Sequence, residues 1–229
     1  MKKITSRKVV DFYINAHQNH TSDKTYPNLM LVRSFSSLMH NNGKEVLDYG
    51  CGYGCNTIFM LSKNVNVTYA DTSPFAVNKT ANKIKNLKGL KSLPSQLVIK
   101  KDAEKLPFKD ESFDIIVCCS VLSLLSDLET ISELLNELSR VLKPGGKVYL
   151  DINGKDSEFV FYSKELGNNQ FEYYGKTMQS SPLIAYCPQS VSEFISIVSP
   201  IFDILHSGFS QHNLFDFKEH EYIVIGQKK

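Results

Sequence analysis

The sequence predicts an α/β fold built on a doubly wound, mostly parallel sheet, and three observations carry that expectation. Short apolar runs alternate with amphipathic helical stretches over the first two thirds of the chain. Residues 113–119 are almost continuously apolar, as a strand covered on both faces should be. A glycine-rich turn joins the first apolar run to the helix behind it. With 229 residues, 42% of them hydrophobic and 22% charged, the chain can bury a sizeable core, as one domain or one domain with a small cap.

In chain order, residues 9–16 and 27–39 read as helices, the second with Pro27 at its first helical position. Residues 45–49 are the first strand, and the turn with glycines at 50, 52 and 54 leads into a helix over 56–61. A strand at 65–70, a helix at 74–87, a weak strand at 96–99 and the apolar strand at 113–119 follow. Helix 130–142 carries the stripe Ile131, Leu134, Leu135, Leu138 and Leu142. Lys143-Pro144-Gly145-Gly146 then turns the chain into a strand at 147–152. The tail adds a helix at 191–198 and two strands, 201–206 and 222–226, joined by a loop. Parallel neighbours need a crossover of a dozen or so residues, so an antiparallel last pair is open to this tail. The whole reads as a Rossmann-like, seven-stranded sheet with its last strand antiparallel, residues 1–43 forming an N-terminal helical cap on a main domain of 44–229.

Residues 155–189 break the alternation and hold seven aromatics, including Phe161, Tyr162 and Tyr174. Insertions of this length in compact domains are usually lids or binding loops, so a substrate lid is expected, against the plainer alternative of a satellite helix on the sheet edge. The five cysteines lack a zinc-finger spacing and read as structural thiols, with no metal site. Basic and acidic residues nearly balance, 26 against 24, and only Arg7, Arg33 and Arg140 are arginines. A protein living on nucleic acid would carry a more clustered excess. The lysines at 79, 83, 85, 88 and 91 read as the solvated face of a helix. With no signal peptide and no long apolar stretch, the chain reads as soluble and cytoplasmic, without membrane insertion, and as a monomer or homodimer.

The chemistry concentrates in Val46-Leu47-Asp48-Tyr49-Gly50-Cys51-Gly52-Tyr53-Gly54-Cys55-Asn56. Glycines leaving a strand and opening a helix let backbone approach a ligand closely. An acid immediately before them, Asp48, would repel a pyrophosphate but accept hydrogen bonds from an ammonium group. Asp71, at the end of the next strand, suits both hydroxyls of a ribose, or else caps the following helix. Asp102, after the third strand, suits an adenine amino group, or is a turn residue. Carboxylates at three successive strand ends match a ligand with a cationic end, a ribose and an adenine. S-adenosylmethionine has all three.

Through residues 46–54, 69–73, 102–108, 112–125 and 138–150, the chain resembles the class I S-adenosylmethionine-dependent methyltransferases, in particular the small-molecule branch related to the ubiquinone and menaquinone C-methyltransferases. The resemblance implies that Asp48, Gly50, Cys51, Gly52 and Asn56 surround the methionine part of S-adenosyl-L-methionine. It sets Asp71 on the ribose, Thr72 beside the adenine, and Asp102 and Ala103 at the adenine edge. It sets the Cys119 backbone near the sulfonium, with Ser120 and Leu124 along the same wall. Tyr26 and Arg33, seven apart and so two turns along one helix face, would hold the cofactor carboxylate, or else be an exposed arginine and a half-buried tyrosine. The chain departs from many relatives in having Ser123-Leu124-Leu125 where they carry a histidine. It also lacks the Asn-Pro-Pro-Tyr turn of exocyclic amine methylation and the proline–cysteine pair that attacks cytosine.

A hydroxyl acceptor would benefit from a general base. Of His17, His20, His206 and His212, the last two gain weight by flanking the loop after a late strand, on the ligand-binding end of an open sheet. The expectation is a methyltransferase acting on a small or medium-sized acceptor, chiefly at an oxygen of a sugar, polar metabolite or phosphorus-containing intermediate. The alternatives are an RNA or protein side-chain methyltransferase and a non-catalytic partner subunit that binds the cofactor.

Overall fold

The computed structural model describes residues 26–36, 44–90, 93–100, 103–174, 182–214 and 217–229. Helix α1 (Leu29–Ser34) precedes β1 (Glu45–Tyr49), α2 (Cys55–Leu61), β2 (Asn66–Asp71), α3 (Pro74–Lys85) and β3 (Ser95–Val98). Then come β4 (Phe113–Cys118), a 3₁₀ turn (Leu122–Leu124), α4 (Leu128–Val141) and β5 (Leu142–Asn153). The insertion holds α5 (Glu158–Phe161), β6 (Ser163–Gly167), β7 (Gln170–Tyr173) and β8 (Leu183–Tyr186). The tail is α6 (Val191–Val198), β9 (Phe202–Leu214) and β10 (Phe217–Lys228).

Seven strands form the main sheet in the order β3-β2-β1-β4-β5-β10-β9. The pairs β1–β2, β1–β4, β2–β3 and β4–β5 are parallel, while β10 runs antiparallel to both of its neighbours. The mostly parallel sheet with an antiparallel last strand is the architecture expected from the sequence. The order reverses direction at β1, so β1 and β4 flank the switch point where open α/β sheets bind ligands, at the carboxyl ends of the strands.

Each face has its own cover, because β1, β4 and β5 are apolar on both sides. Leu47, Ile116 and Leu150 pack with the α4 stripe of Ile131, Leu134, Leu135, Leu138 and Val141, all fully buried. Val46, Val117 and Tyr149 pack on the other face with Leu31 and Phe35 around α1 and Met60 of α2. Four residues of the stripe are those the sequence predicts, but Val141 closes it, since Leu142 already belongs to β5; Asp127 caps the start of α4 by accepting from the Thr130 N–H at 2.8 Å.

Three elements differ from expectation. Helix α1 begins after Asn28, whose side chain accepts from the Met30 and Leu31 N–H groups, so Pro27 stands outside the helix. Residues 9–16 and 37–39 lie outside the described residues. The final strands form a long hairpin: β10 pairs with β5 only from Glu221 opposite Asn153 onward, so 211–214 of β9 and 217–220 of β10 overhang the carboxyl end of the sheet as an arm. Its β9 side, Gln211, His212 and Asn213, is polar and exposed at successive positions, which periodicity cannot detect. The insertion, expected to be irregular, is a small antiparallel sheet in the order β6-β7-β8, with Phe171, Ala185 and Cys187 in a core of their own. Gln170 Nε2 ties it to the Ser126 carbonyl at 2.6 Å.

Candidate functional site

The turn after β1 is held open by its backbone. Gly50, Gly52 and Gly54 all have positive φ, at 75°, 50° and 76°. A Cβ on Gly50 would sit 2.3 Å from Val121 Cγ2, and one on Gly54 would sit 2.5 Å from Thr80 Cγ2, so the first and third glycines are packing requirements. Gly52 differs: among the described residues a Cβ there would meet nothing within 4 Å. Its surface faces open space, a cradle into which a ligand can come against backbone. The turn is pinned from below by the N–H groups of Gly50 and Cys51 donating to the Ala70 carbonyl at 2.8 and 3.0 Å.

Two carboxylates border that cradle. Asp71 accepts from the Gly52 N–H through Oδ2 and from the Ser73 N–H through Oδ1, both at 2.9 Å. Ser73, not Asp71, caps α3, accepting from the Ala76 N–H at 3.3 Å. Each Asp71 oxygen keeps a second lone-pair direction for a hydroxyl. Asp48 is 1% exposed and accepts from the Thr57 hydroxyl at 2.5 Å. Burial lifts its pKa from 3.8 to about 7, the Asp71 charge adds to the rise and the Thr57 hydrogen bond opposes it. A buried carboxyl poised in this way is ready to ionise when a cation arrives.

The end of β4 supplies the third wall. Ser120 has φ 58°, a left-handed conformation that serine rarely adopts, and its N–H donates to Asp151 Oδ1 at 2.5 Å. Cys119 Sγ donates to Asp151 Oδ2 at 2.8 Å, and burial first, then the Asp151 charge, pushes the thiol well above its ordinary range. The thiol is therefore an inert donor and not a nucleophile.

A methyltransferase-domain family model matches residues 47–150, spanning the glycine turn, both carboxylates, β4 and most of β5. An uncharacterised protein of Methanocaldococcus jannaschii is 32% identical over 187 residues, covering 77% of this chain and 73% of its own. The chain belongs to the class I methyltransferases. A demethylmenaquinone methyltransferase of Tropheryma whipplei is 28% identical over 73% of this chain and 66% of its own, in line with the small-molecule branch the motifs resemble. A solved S-adenosylmethionine-dependent methyltransferase of Methanosarcina mazei superposes with a TM-score of 0.69 at 21% identity, covering 89% of this chain and 98% of that one. The methyl donor of the family is S-adenosylmethionine, and the open cradle at Gly52 between two carboxylates fits it.

Within this methyltransferase the other expected residues fall into two groups. Asp48, Gly50, Cys51, Gly52, Asp71, Thr72, Cys119, Ser120 and Leu124 all lie on the turn after β1 or at the carboxyl ends of β1, β2 and β4. Ala103 is half-buried beyond β3, and Asp102 lies outside the described residues. The loop that follows them is clamped by Arg140, which donates to the Leu106 and Phe108 carbonyls at 3.0 Å each and to Glu137 and Asp110. Arg140, one of the few arginines, thus serves architecture.

Asn56, Tyr26, Arg33 and the two histidines stand elsewhere. Asn56 Oδ1 accepts from the Asn28 N–H at 3.0 Å, fastening the start of α1 to α2. Tyr26 precedes the helix, so helical phase does not align it with Arg33, and both are exposed. His206 is exposed on edge strand β9, opposite Ile225, which faces Tyr149 and through it Val117. Three strand spacings, about 14 Å, separate it from β4. His212 is exposed on the hairpin arm, hydrogen-bonded to Ser210 at 3.0 Å. His17 and His20 lie outside the described residues.

Sequence reasoning missed three buried polar residues. Asp151 is 1% exposed in an otherwise apolar strand, and that isolated acid was the available signal. Glu221 is 7% exposed on the same sheet face and accepts from Asn28 Nδ2 at 3.1 Å, fastening the start of α1 to β10 as well. His220 is buried against Tyr222 and Phe209, and its Nδ1 accepts from the Asp156 N–H at 3.2 Å. Burial lowers its pKa, with Asp156 opposing, so the ring is neutral with the proton on Nε2. Its place directly before the apolar run 222–225 was the only sequence cue.

Proposed function

We propose that this methyltransferase binds S-adenosylmethionine in the glycine cradle and methylates a small molecule lying beyond Ser120, between α1, the insertion and the hairpin arm. In this reading Asp48 takes the donor's ammonium group, Asp71 its ribose, and Asp102 and Ala103 its adenine edge. The Gly50–Gly52 backbone borders the methionine part, and Cys119 and Ser120 border the sulfonium. The observation that carries the reading is Gly52, whose open face lies between a carboxylate engaging its N–H and a second carboxylate raised to about 7.

Methyl transfer forms a bond between an acceptor lone pair and the methyl carbon while the carbon–sulfur bond breaks and sulfur keeps its electron pair. A hydroxyl acceptor also gives up its proton. The protein's part is to align the acceptor and exclude water, since the carbon is already activated. We read the accepting atom as an oxygen, on a sugar, a polar metabolite or a phosphorus-containing intermediate. The groups beyond the cradle favour it: Ser120, Ser123, Asp151 and Asn153 are hydroxyls, a carboxylate and an amide. Lys79 and Lys83 stack on Tyr53 beside the glycine turn, with ammonium-to-centroid distances of 4.1 and 5.7 Å, which leaves less of the lysine run for RNA.

Calorimetric titration with S-adenosylmethionine and S-adenosylhomocysteine, comparing the wild type with Asp71→Ala, tests the proposal. Binding that collapses in the variant supports it, and a folded wild type that binds neither ligand overturns it.

A further inference from the structure

A cavity of about 370 Å³ opens between the start of the insertion and the overhanging hairpin arm. Lys155 and Lys218 line it from opposite sides, with Gln211 and Asn213 of the arm contributing amides, and Val160 and Phe161 of α5 an apolar wall. The Lys218 ammonium lies over the Phe161 ring, 4.3 Å from its centroid, which fixes that long side chain against the wall. Among the described residues neither lysine has a carboxylate partner. The one acid in the lining, Asp156, is half-exposed, with Oδ2 3.4 Å from Nδ1 of a neutral His220 ring, so one carboxylate stands beside the two ammonium groups and the lining keeps a net positive charge. Two ammonium groups beside an aromatic face, with amide donors between them, form the counterpart of an anion joined to an apolar body.

The cavity also stands where an acceptor would extend. Asp151, which holds the Ser120 N–H, is four residues before Lys155 along the same strand and turn. Four residues span at most about 14 Å. Both the arm and the turn overhang the carboxyl ends of the parallel strands, on the side of the donor cradle.

We propose that this cavity anchors the anionic end of the methyl acceptor, a small molecule in which a phosphate or carboxylate is joined to an apolar or aromatic body about 10 Å from the accepting atom. The inference rests on the methyltransferase reading of the donor cradle for its role, though the cavity's charge and shape stand independently of it.

The test uses phenyl phosphate and benzoate as probes, titrated calorimetrically into the full chain with and without saturating S-adenosylhomocysteine. Both probes are expected to bind, and to bind equally well with the donor site filled; the tighter of the two identifies the anion. Lys155→Gln and Lys218→Gln should each weaken binding about tenfold, and the double variant should abolish it, since each removes one charge-assisted hydrogen bond. Lys164→Gln, on exposed strand β6, should change nothing. Unaltered binding in the double variant, competition with S-adenosylhomocysteine, or phenol binding as tightly as phenyl phosphate would each overturn the proposal. S-adenosylhomocysteine binding without probe binding removes this inference alone. Probe binding without S-adenosylhomocysteine binding leaves an anion site and removes the methyltransferase role.

Discussion

Asp48 is the residue whose replacement separates stability from ligand binding most cleanly. Its carboxyl is 1% exposed and lifted from 3.8 to about 7 by burial. Because the folded value is raised, the unfolded chain releases this proton first as pH rises. Below pH 4 both states hold the proton and nothing is lost; between pH 4 and 7 stability falls, and above 7 the loss is complete. At about 1.36 kcal/mol per pH unit, the loss reaches on the order of 4 kcal/mol. Asp48→Asn removes it, because the amide does not titrate and its oxygen still accepts from Thr57 at the position now 2.5 Å away. The new amide hydrogens add a penalty of roughly 1–3 kcal/mol that is the same at every pH. Thermal melts of both proteins from pH 4 to pH 8 therefore isolate the effect. The variant's melting temperature relative to wild type should climb by about 8–16 °C across that range, at about 2–4 °C per kcal/mol for a chain of this size. Its affinity for S-adenosylhomocysteine at pH 8 should fall about tenfold or more, since a charge-assisted bond to the ammonium is lost. A melting difference that stays flat with pH would refute the buried, poised carboxyl, and unaltered affinity would refute its place at the ammonium.

Four further outcomes follow from the packing. Gly52→Ala should leave the protein folded, costing about 1–2 kcal/mol for its left-handed backbone, yet lose S-adenosylhomocysteine binding in calorimetry as the methyl group fills the cradle. Gly50→Ala, whose Cβ would meet Val121 Cγ2 at 2.3 Å, should instead lose roughly 2–4 kcal/mol in urea unfolding. Tyr149→Phe should hold or raise urea stability by about 1 kcal/mol, because the fully buried hydroxyl has no hydrogen-bond partner among the described residues. Replacing His206 or His212 by glutamine should leave turnover of any identified acceptor unchanged, and a large loss in either would bring the arm or the edge strand into the chemistry.

The glycine turn and the carboxylates beside it, where we propose the donor binds, were legible in the sequence because backbone and burial dictate them. Glycines at 50, 52 and 54 announce positive φ, and acids that end apolar strands at 48 and 71 stand out by their setting. The α4 stripe and the apolar runs of β1 and β4 fixed the layers in the same way. What failed was helical phase at α1, where Asn28 starts the helix later than Pro27 suggests and leaves Tyr26 outside it. Asn56, read as a ligand group, instead fastens α1.

The acceptor half obeys a different logic, and the hairpin arm shows why. Gln211, His212 and Asn213 on the arm carry no period, because residues solvated on both faces have no buried face to impose one, whereas His220 and Glu221 are buried where the arm rejoins the sheet. The insertion conceals its strands likewise: β6 is Ser163–Gly167, mostly exposed, while Phe171, Tyr173, Leu183, Ala185 and Tyr186 of its partners are buried. Elements that meet a ligand must keep polar groups free for it, and so give up the periodicity that would reveal them. Lys155 and Lys218, 63 positions apart in sequence and on either side of one cavity, have no common signature at all. Their pairing exists only because β10 lies against β5 and carries the arm back over its end. Donor recognition in this chain is a property of local turns, and acceptor recognition is a property of topology.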